Sequence, residues 1–268
     1  MDADELLERV VSGGLVAPPD AVVAMLSGGR DSVCMLDLAV RARGPEAVVA
    51  LHVNYGLRDD SDEDERHCAG LCESLGLRLE VERPQRPEGP GNLQAWARDS
   101  RYAAAARLAT SLPATIVTGH TADDQVETIL YRLASSPSRR ALLGMRPRDG
   151  RLARPLLGMT REETTAYCEE RGLPWRDDRS NAEPVYARNR IRSGLLPELA
   201  RVHPAAAANV LRTAELLRDE AEVLDALVAV EIDGSGENAR GTISLQRLDE
   251  LHPALRRLVV QRLADAAA

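Results

Sequence analysis

Hydrophobic positions in the first 135 residues alternate between two patterns. Short runs, AVVAML (21–26), AVVALHVNY (47–55), LRLEVE (77–82) and ATIVTGH (114–120), are rich in apolar and β-branched residues and end abruptly at polar ones. Runs of this length read as buried strands. Between them, 31–43, roughly 60–75 and 93–110 carry helical patterns, and 122–134 adds a fourth after the last run. Strand–helix alternation at this spacing predicts an α/β fold, a parallel sheet with helices on both faces. Ligands in such folds sit at the carboxyl ends of the strands. The stretches there, SGGRDS, HVNYG and TGHTADD, are the most polar and chemically equipped of this half. RPQRPEGPGN (83–92) is rich in Pro and Gly and predicts a loop leading into the third helix.

After about residue 135 the pattern changes. GMRPRDGRLARPLL predicts a short hairpin, residues 161–171 a helix, and LPWRDDRSN a loop. From 185 to about 231 the chain reads as mostly helical, with a break at His203-Pro204. EIDGSGENARG marks a turn region before a last short strand and helix. The expected division is a catalytic domain over 1–200 and a mainly helical segment over 201–268, with the boundary between 180 and 215.

Composition narrows the chemistry. Of 268 residues, 44% are hydrophobic and 28% charged, enough to bury a sizeable core. Phe is absent, and all 34 basic residues are Arg, so no lysine serves as phosphate clamp, Schiff-base former or nucleophile. The acidic MDADELLERVV lacks the apolar run of a signal peptide, and no segment approaches the roughly 18 apolar residues of a membrane span. Cys34, Cys68, Cys72 and Cys168 form no C-x-x-C pair and suggest neither a disulfide framework nor a zinc site. A cytoplasmic protein is expected. The net charge of −8 argues against indiscriminate nucleic-acid binding. Residues 132–212, however, carry 16 Arg against 9 acids. That stretch is either a local phosphate-binding face or the ordinary surface of a lysine-free chain.

Two local patterns carry chemistry, each with a plainer alternative. In SGGRDS, Gly28 and Gly29 allow positive φ and close backbone approach, and the helix that follows offers its N-terminus to an anion. A Walker A loop is excluded by spacing and by the missing lysine. The alternative is a helix entry capped by Ser27 or Asp31. In TGHTADDQVET, Asp124 and Glu127 lie three apart, so on a helix they share a face and can point at one cation. The alternative is a capping box with Thr121 as N-cap.

SGGRDS after a first strand matches the PP-loop of the N-type ATP pyrophosphatases. Four further stretches follow in order: LHVNYGLRDDSDED, NLQAWARDSRYAAAARLA, TGHTADDQVETILYRL, and RPLLGMTREETTAYCEERGLPWRDDRSN with YARNRIRSGLLPEL. Together they resemble the tRNA(Ile)-lysidine synthase family over about residues 20–200, with weaker similarity in LHPALRRLVVQRLA. The resemblance implies a Rossmann-like, adenine nucleotide alpha hydrolase-like PP-loop domain and a smaller helical one. It also implies a ligase that uses ATP and Mg²⁺. The C2 oxygen of the wobble cytidine in a CAU-anticodon isoleucine tRNA is adenylated, and the ε-amine of free L-lysine then displaces AMP. The lysidine formed switches identity from methionine to isoleucine.

Carried onto this chain, the resemblance gives ATP binding to Ser27, Gly28, Gly29, Arg30, Asp31, Ser32, His52, Arg98 and His120. Asp31 is also the Mg²⁺ contact, and Asp31 and Arg98 are the catalytic pair, with Arg101 the second choice of arginine. Asp124 and Glu127 fall to lysine, and Arg188, Arg190 and Arg192 to tRNA or the adenylate. For those three, the alternative is a salt-bridged hinge with DDRSN. The chain departs from the family in three places. Tyr55 stands where members commonly have histidine, which removes any proton-transfer role there. ASSPSRRALLGM is poor in glycine where a glycine-rich turn is expected, and the chain stops earlier than many members. Rival readings are a PP-loop tRNA thiolase and an inactive tRNA-binding relative.

Overall fold

The computed structural model describes residues 2–17, 20–87, 91–176, 187–233 and 242–267. It divides into two compact units, Met1–Ala207 and Ala208–Ala268. In the first, β1 (Ala21–Met25), β2 (Val48–Val53), β3 (Arg78–Glu82) and β4 (Ala114–Val117) occupy the predicted runs. They alternate with α2 (Arg30–Arg43), α3 (Ser61–Ser74) and α4 (Leu93–Ser111), and α5 (Ala122–Ser135) follows β4. A hairpin of β5 (Arg148–Asp149) and β6 (Leu152–Ala153) completes a sheet of order β3-β2-β1-β4-β6-β5. Only the β5–β6 pair is antiparallel.

An amphipathic helix not foreseen in the sequence, α1 (Ala3–Ser12), starts the chain. Asp2 caps it by accepting the Glu5 N–H at 2.8 Å. Its Ala3, Leu6 and Val10 share one face and enter the core. Central β1 is apolar because both faces are covered: Val22 and Ala24 pack with α2, while Val23 and Met25 pack with Ala104, Ala105 and Ala109 of α4. The Asp37 carboxylate of α2 is nearly inaccessible. It accepts bonds from Tyr167 and Arg171, and so ties α2 to α7 (Arg161–Glu170) and the turn after it.

The strand order reverses direction at β1, whose neighbours are β2 and β4. Such a switch point opens a crevice at the carboxyl ends of the strands. The N-termini of α2 and α5 meet there. A Cβ on Gly119 would lie 2.6 Å from the Asp31 carbonyl oxygen, so only glycine lets the two approach this closely.

Beyond α7 and the undescribed residues 177–186 lie α8 (Ala187–Arg190), a π-helical turn (Ile191–Leu195) and α9 (Leu196–Val202). α9 ends at the predicted His203-Pro204 break. In the second unit the long α10 (Ala206–Asp233) packs with α11 (Leu245–Glu250) and α12 (Pro253–Ala267) around Val228, Ile232, Leu251 and Val259. The short strand expected there is absent from the described residues. Ser244 instead caps α11, accepting the Arg247 N–H at 3.1 Å. Most of EIDGSGENARG, from residue 234 on, lies outside the described residues. No helix among the described residues is long and apolar enough to cross a membrane.

Candidate active site

Gly28 has φ +83°, in the region glycine favours, and turns the chain out of β1 toward α2. Gly29 is the N-cap of α2 and has no side chain to offer the helix. The N–H groups of Gly28, Arg30 and Asp31 meet no acceptor among the described residues. Ser32 closes the loop from inside. Its hydroxyl donates to the Gly29 carbonyl (2.7 Å) and accepts from the Ser27 N–H (3.2 Å). The result is a ring of backbone donors at the positive end of a helix. The alternative reading, a capped helix entry, finds no support in Ser27 or Asp31, since neither caps α2. His52 is buried behind the loop, and its Nδ1 bonds the Leu26 carbonyl at 3.0 Å. A carbonyl only accepts, so Nδ1 carries the proton.

Across the crevice, α5 begins with the opposite chemistry. Asp124 is 7% exposed and Glu127 1%. Oδ2 of Asp124 accepts the Thr121 N–H at 2.9 Å, while Oδ1 faces Arg161 (3.3 Å) and Arg188. The cap and the cation contact thus coexist on one carboxylate. Glu127 is held by Arg188 and by Arg192, whose Nε donates at 2.6 Å. Burial would raise the Asp124 pKa, but Arg188, the Thr121 N–H, His120 and Arg161 outweigh it and hold the carboxyl below its usual range.

Arg188 and Arg192 therefore do not stand open in the structure: both are paired with the carboxylates expected to take lysine. The alternative hinge partner, DDRSN, and Tyr186 lie outside the described residues. Arg190 ends α8 and also has interactions.

Between the two helix starts stands His120, with Nδ1 2.8 Å from the Thr118 hydroxyl. Burial pushes its pKa down to about 4. Asp124 opposes that shift, and the charges of Arg154, Arg101 and Arg188 add to it. Its imidazole is neutral near pH 7. Arg98 and Arg101 both lie over the Tyr102 ring, at 4.9 and 5.6 Å. Arg98 is exposed, whereas Arg101 has a buried Nε without a partner among the described residues. The buried Nε of Arg154, just past β6, and the Tyr102 hydroxyl also lack partners among the described residues. Tyr55 sits edge-on to Trp96 with ring centroids 5.8 Å apart, and burial raises its pKa. That keeps it a neutral packing residue.

Sequence reasoning missed three residues here. Arg154 hid within an arginine-rich stretch. Arg161 and Thr164, in MTREET, fall at the start of the helix predicted over 161–171, with no local mark of a site. Yet Thr164 is fully buried and donates to Asp31 Oδ1 at 2.6 Å, and Arg161 reaches Asp31, Asp124 and Glu127. The signal available was the capping box of Thr160 and Glu163, which fixes where α7 starts.

For Mg²⁺, Asp31 offers one oxygen, Oδ2, whose closest partner is Arg161 Nε at 3.7 Å. Among the described residues no group of three or more His, Cys, Asp or Glu side chains can hold a metal. That donor set fits an ion bound by one carboxylate and mostly by phosphate oxygens, the usual habit of Mg²⁺. All four cysteines are buried and free. Burial raises the Cys68 pKa to about 12 and that of Cys72 to about 11. Cys34, hydrogen-bonded to Cys168 and buried, is raised further.

A glycine loop at a switch point, with bare helix N–H groups, defines the PP-loop class of nucleotide-binding domains, and residues 4–199 match the PP-loop domain family. The chain is 41% identical over 231 residues to a tRNA(Ile)-lysidine synthase of Thermus thermophilus, covering 84% of this chain and 44% of that protein. It is 38% identical over 269 residues to the one from Salinispora arenicola, covering 93% and 78%. The chain belongs to the tRNA(Ile)-lysidine synthase family. It spans about half the length of several of these relatives. In fold it is similar to a U34-tRNA thiolase from Methanococcus maripaludis, with a TM-score of 0.67 at 18% identity, covering 80% of this chain and 78% of that one.

Proposed function

We propose that this chain ligates L-lysine to the wobble cytidine of a CAU-anticodon isoleucine tRNA, at the expense of ATP. The observation that carries the reading is the meeting of an anion-binding helix start with a buried carboxylate pair at one crevice. The loop from Ser27 to Ser32 takes the ATP phosphates on its free N–H groups. Arg101 and Arg154, with unpartnered Nε groups, supply cations for charge that develops on the phosphates. Arg98 lies close enough to Arg154 to lower its pKa, behind the larger effect of burial, and joins that wall. Asp31 holds Mg²⁺, which neutralises phosphate charge when bound. Neutral His120 contacts nucleotide or cytidine as a hydrogen-bonding group rather than as a charge.

Asp124 and Glu127 receive the ammonium of lysine. Because Arg188 and Arg192 already occupy these carboxylates, the ammonium takes the place of one guanidinium. The guanidinium released is then free for a phosphate, of the adenylate or of tRNA, where arginine suits bidentate capture. This links the pairing seen in the structure to the phosphate role expected from the sequence. The four cysteines are buried, and Cys34, Cys68 and Cys72 have raised pKa values, so they lend nothing to a thiolase reading.

The test is incorporation of labelled L-lysine into this tRNA by purified protein with ATP and Mg²⁺. Lysine-dependent release of AMP, together with lysidine in the tRNA, is expected. An oxygen-to-sulfur mass change, or tRNA binding with no lysine-dependent AMP, would overturn the reading.

A further inference from the structure

Arg161 is the first residue of α7, and its own N–H donates to Asp123 Oδ2 at 2.7 Å. Its guanidinium spreads across the crevice. Nη2 is 3.3 Å from Asp124 Oδ1, Nε 3.7 Å from Asp31 Oδ2, and Nη1 4.0 Å from Glu127 Oε1. One turn on, Thr164 grips Asp31 at 2.6 Å. A single turn of α7 thus touches both the phosphate loop and the carboxylate pair. Arg188 and Arg192 approach the same pair from a different element, through side chains 48% and 30% exposed against 24% for Arg161. Tied at the backbone and the least exposed, Arg161 is the best anchored of the three.

We propose that Arg161 is a positioning residue that acts as a resident cation of the amine site, keeping lysine's ammonium loosely held and its nitrogen on the side facing the adenylate. This rests on the lysine-ligase reading above. The reasoning is electrostatic. Two buried carboxylates with Asp31 nearby would trap an ammonium in the ground state, and binding that is stronger there than in the transition state slows the chemical step. A fixed like charge about 4 Å away opposes that trap, by at least about fivefold in affinity, which is what remains between two unit charges at that separation under the full screening of water. Asp31 keeps its shorter bond to Thr164 when the guanidinium is removed, so the phosphate loop is spared.

The experiment compares wild type, Arg161→Gln and Arg161→Lys. For Arg161→Gln the lysine KM is expected to fall about fivefold and kcat to fall at least as much, with the ATP KM within about threefold of wild type. Arg161→Lys, which keeps the charge, is expected to restore the lysine KM toward wild type. Equilibrium dialysis with labelled L-lysine makes the same comparison without turnover, and Arg161→Gln is expected to bind more tightly. A lysine KM or dissociation constant that rises or stays unchanged in Arg161→Gln overturns the proposal. So does a loss that Arg161→Lys shares equally. If Arg161→Gln does not fold, Arg161→Lys carries the test, and a lysine KM raised together with a lowered kcat overturns it. A wild-type protein that binds lysine and forms no lysidine would instead overturn the ligase reading alone.

Discussion

Two helix starts face each other at the crevice, and they prefer opposite charges. α2 begins on Gly29, which caps nothing, so its N–H groups and positive dipole end stay open to an anion. α5 begins with the same dipole, yet Asp124 takes up the Thr121 N–H with one oxygen and turns the other toward cations. The dipole does not decide what a helix N-terminus binds; the residue that satisfies its first N–H groups does. Under the proposed function, one of each kind at a single crevice would set a triphosphate beside an amine.

The comparison can be broken most severely at Glu127. Replacing it with alanine leaves Arg188 and Arg192 to share Asp124 alone, and a destabilisation of about 3 kcal/mol by denaturant titration is expected. A change below 1 kcal/mol would show that the guanidiniums find water instead. Gly119→Ala comes next: its Cβ would lie 2.6 Å from the Asp31 carbonyl, so the two starts must separate. About 2 kcal/mol of stability should be lost, and both ATP and lysine KM values should rise.

Asp124→Ala sharpens the comparison by separating the two halves. The lysine KM is expected to rise at least tenfold (about 1.4 kcal/mol) while the ATP KM changes little. Equal damage to both would reduce Asp124 to a cap. The smallest effect concerns His120, whose pKa falls from 6.5 to about 4. The unfolded chain takes up that proton first, so the stability His120 contributes is complete above pH 6.5 and is lost as pH falls toward 4. His120→Asn should flatten that slope by about 1 kcal/mol per pH unit. Burial lowers His67 as well, so some slope remains. An unchanged slope would place the titration elsewhere.

Central β1 was legible because both faces of the sheet are covered there, which writes apolar residues at every position, whereas edge strand β3 alternates charged and apolar ones. α1 was not read, although Ala3, Leu6 and Val10 mark its buried face, because the acidic start drew attention to targeting. The stretch before α11 read as a strand until Ser244 proved to be a cap. Within the site, the glycine loop and the Asp124–Glu127 pair were readable because their chemistry is local in sequence. Arg161 and Thr164 were not, because their meaning lies in Asp31, at least 130 positions earlier, and no periodicity records a partner that distant. The pairing of Arg188 with Asp124, 64 positions apart, escaped for the same reason.

That distance has a consequence for assembly. The bond from Thr164 to Asp31 spans 133 residues, so closing it requires ordering a long stretch of chain, and contacts of this kind form late. On a ribosome the phosphate loop emerges early but waits for α7 before its aspartate is held. Polypeptides released before residue 161 would carry the loop without its clamp.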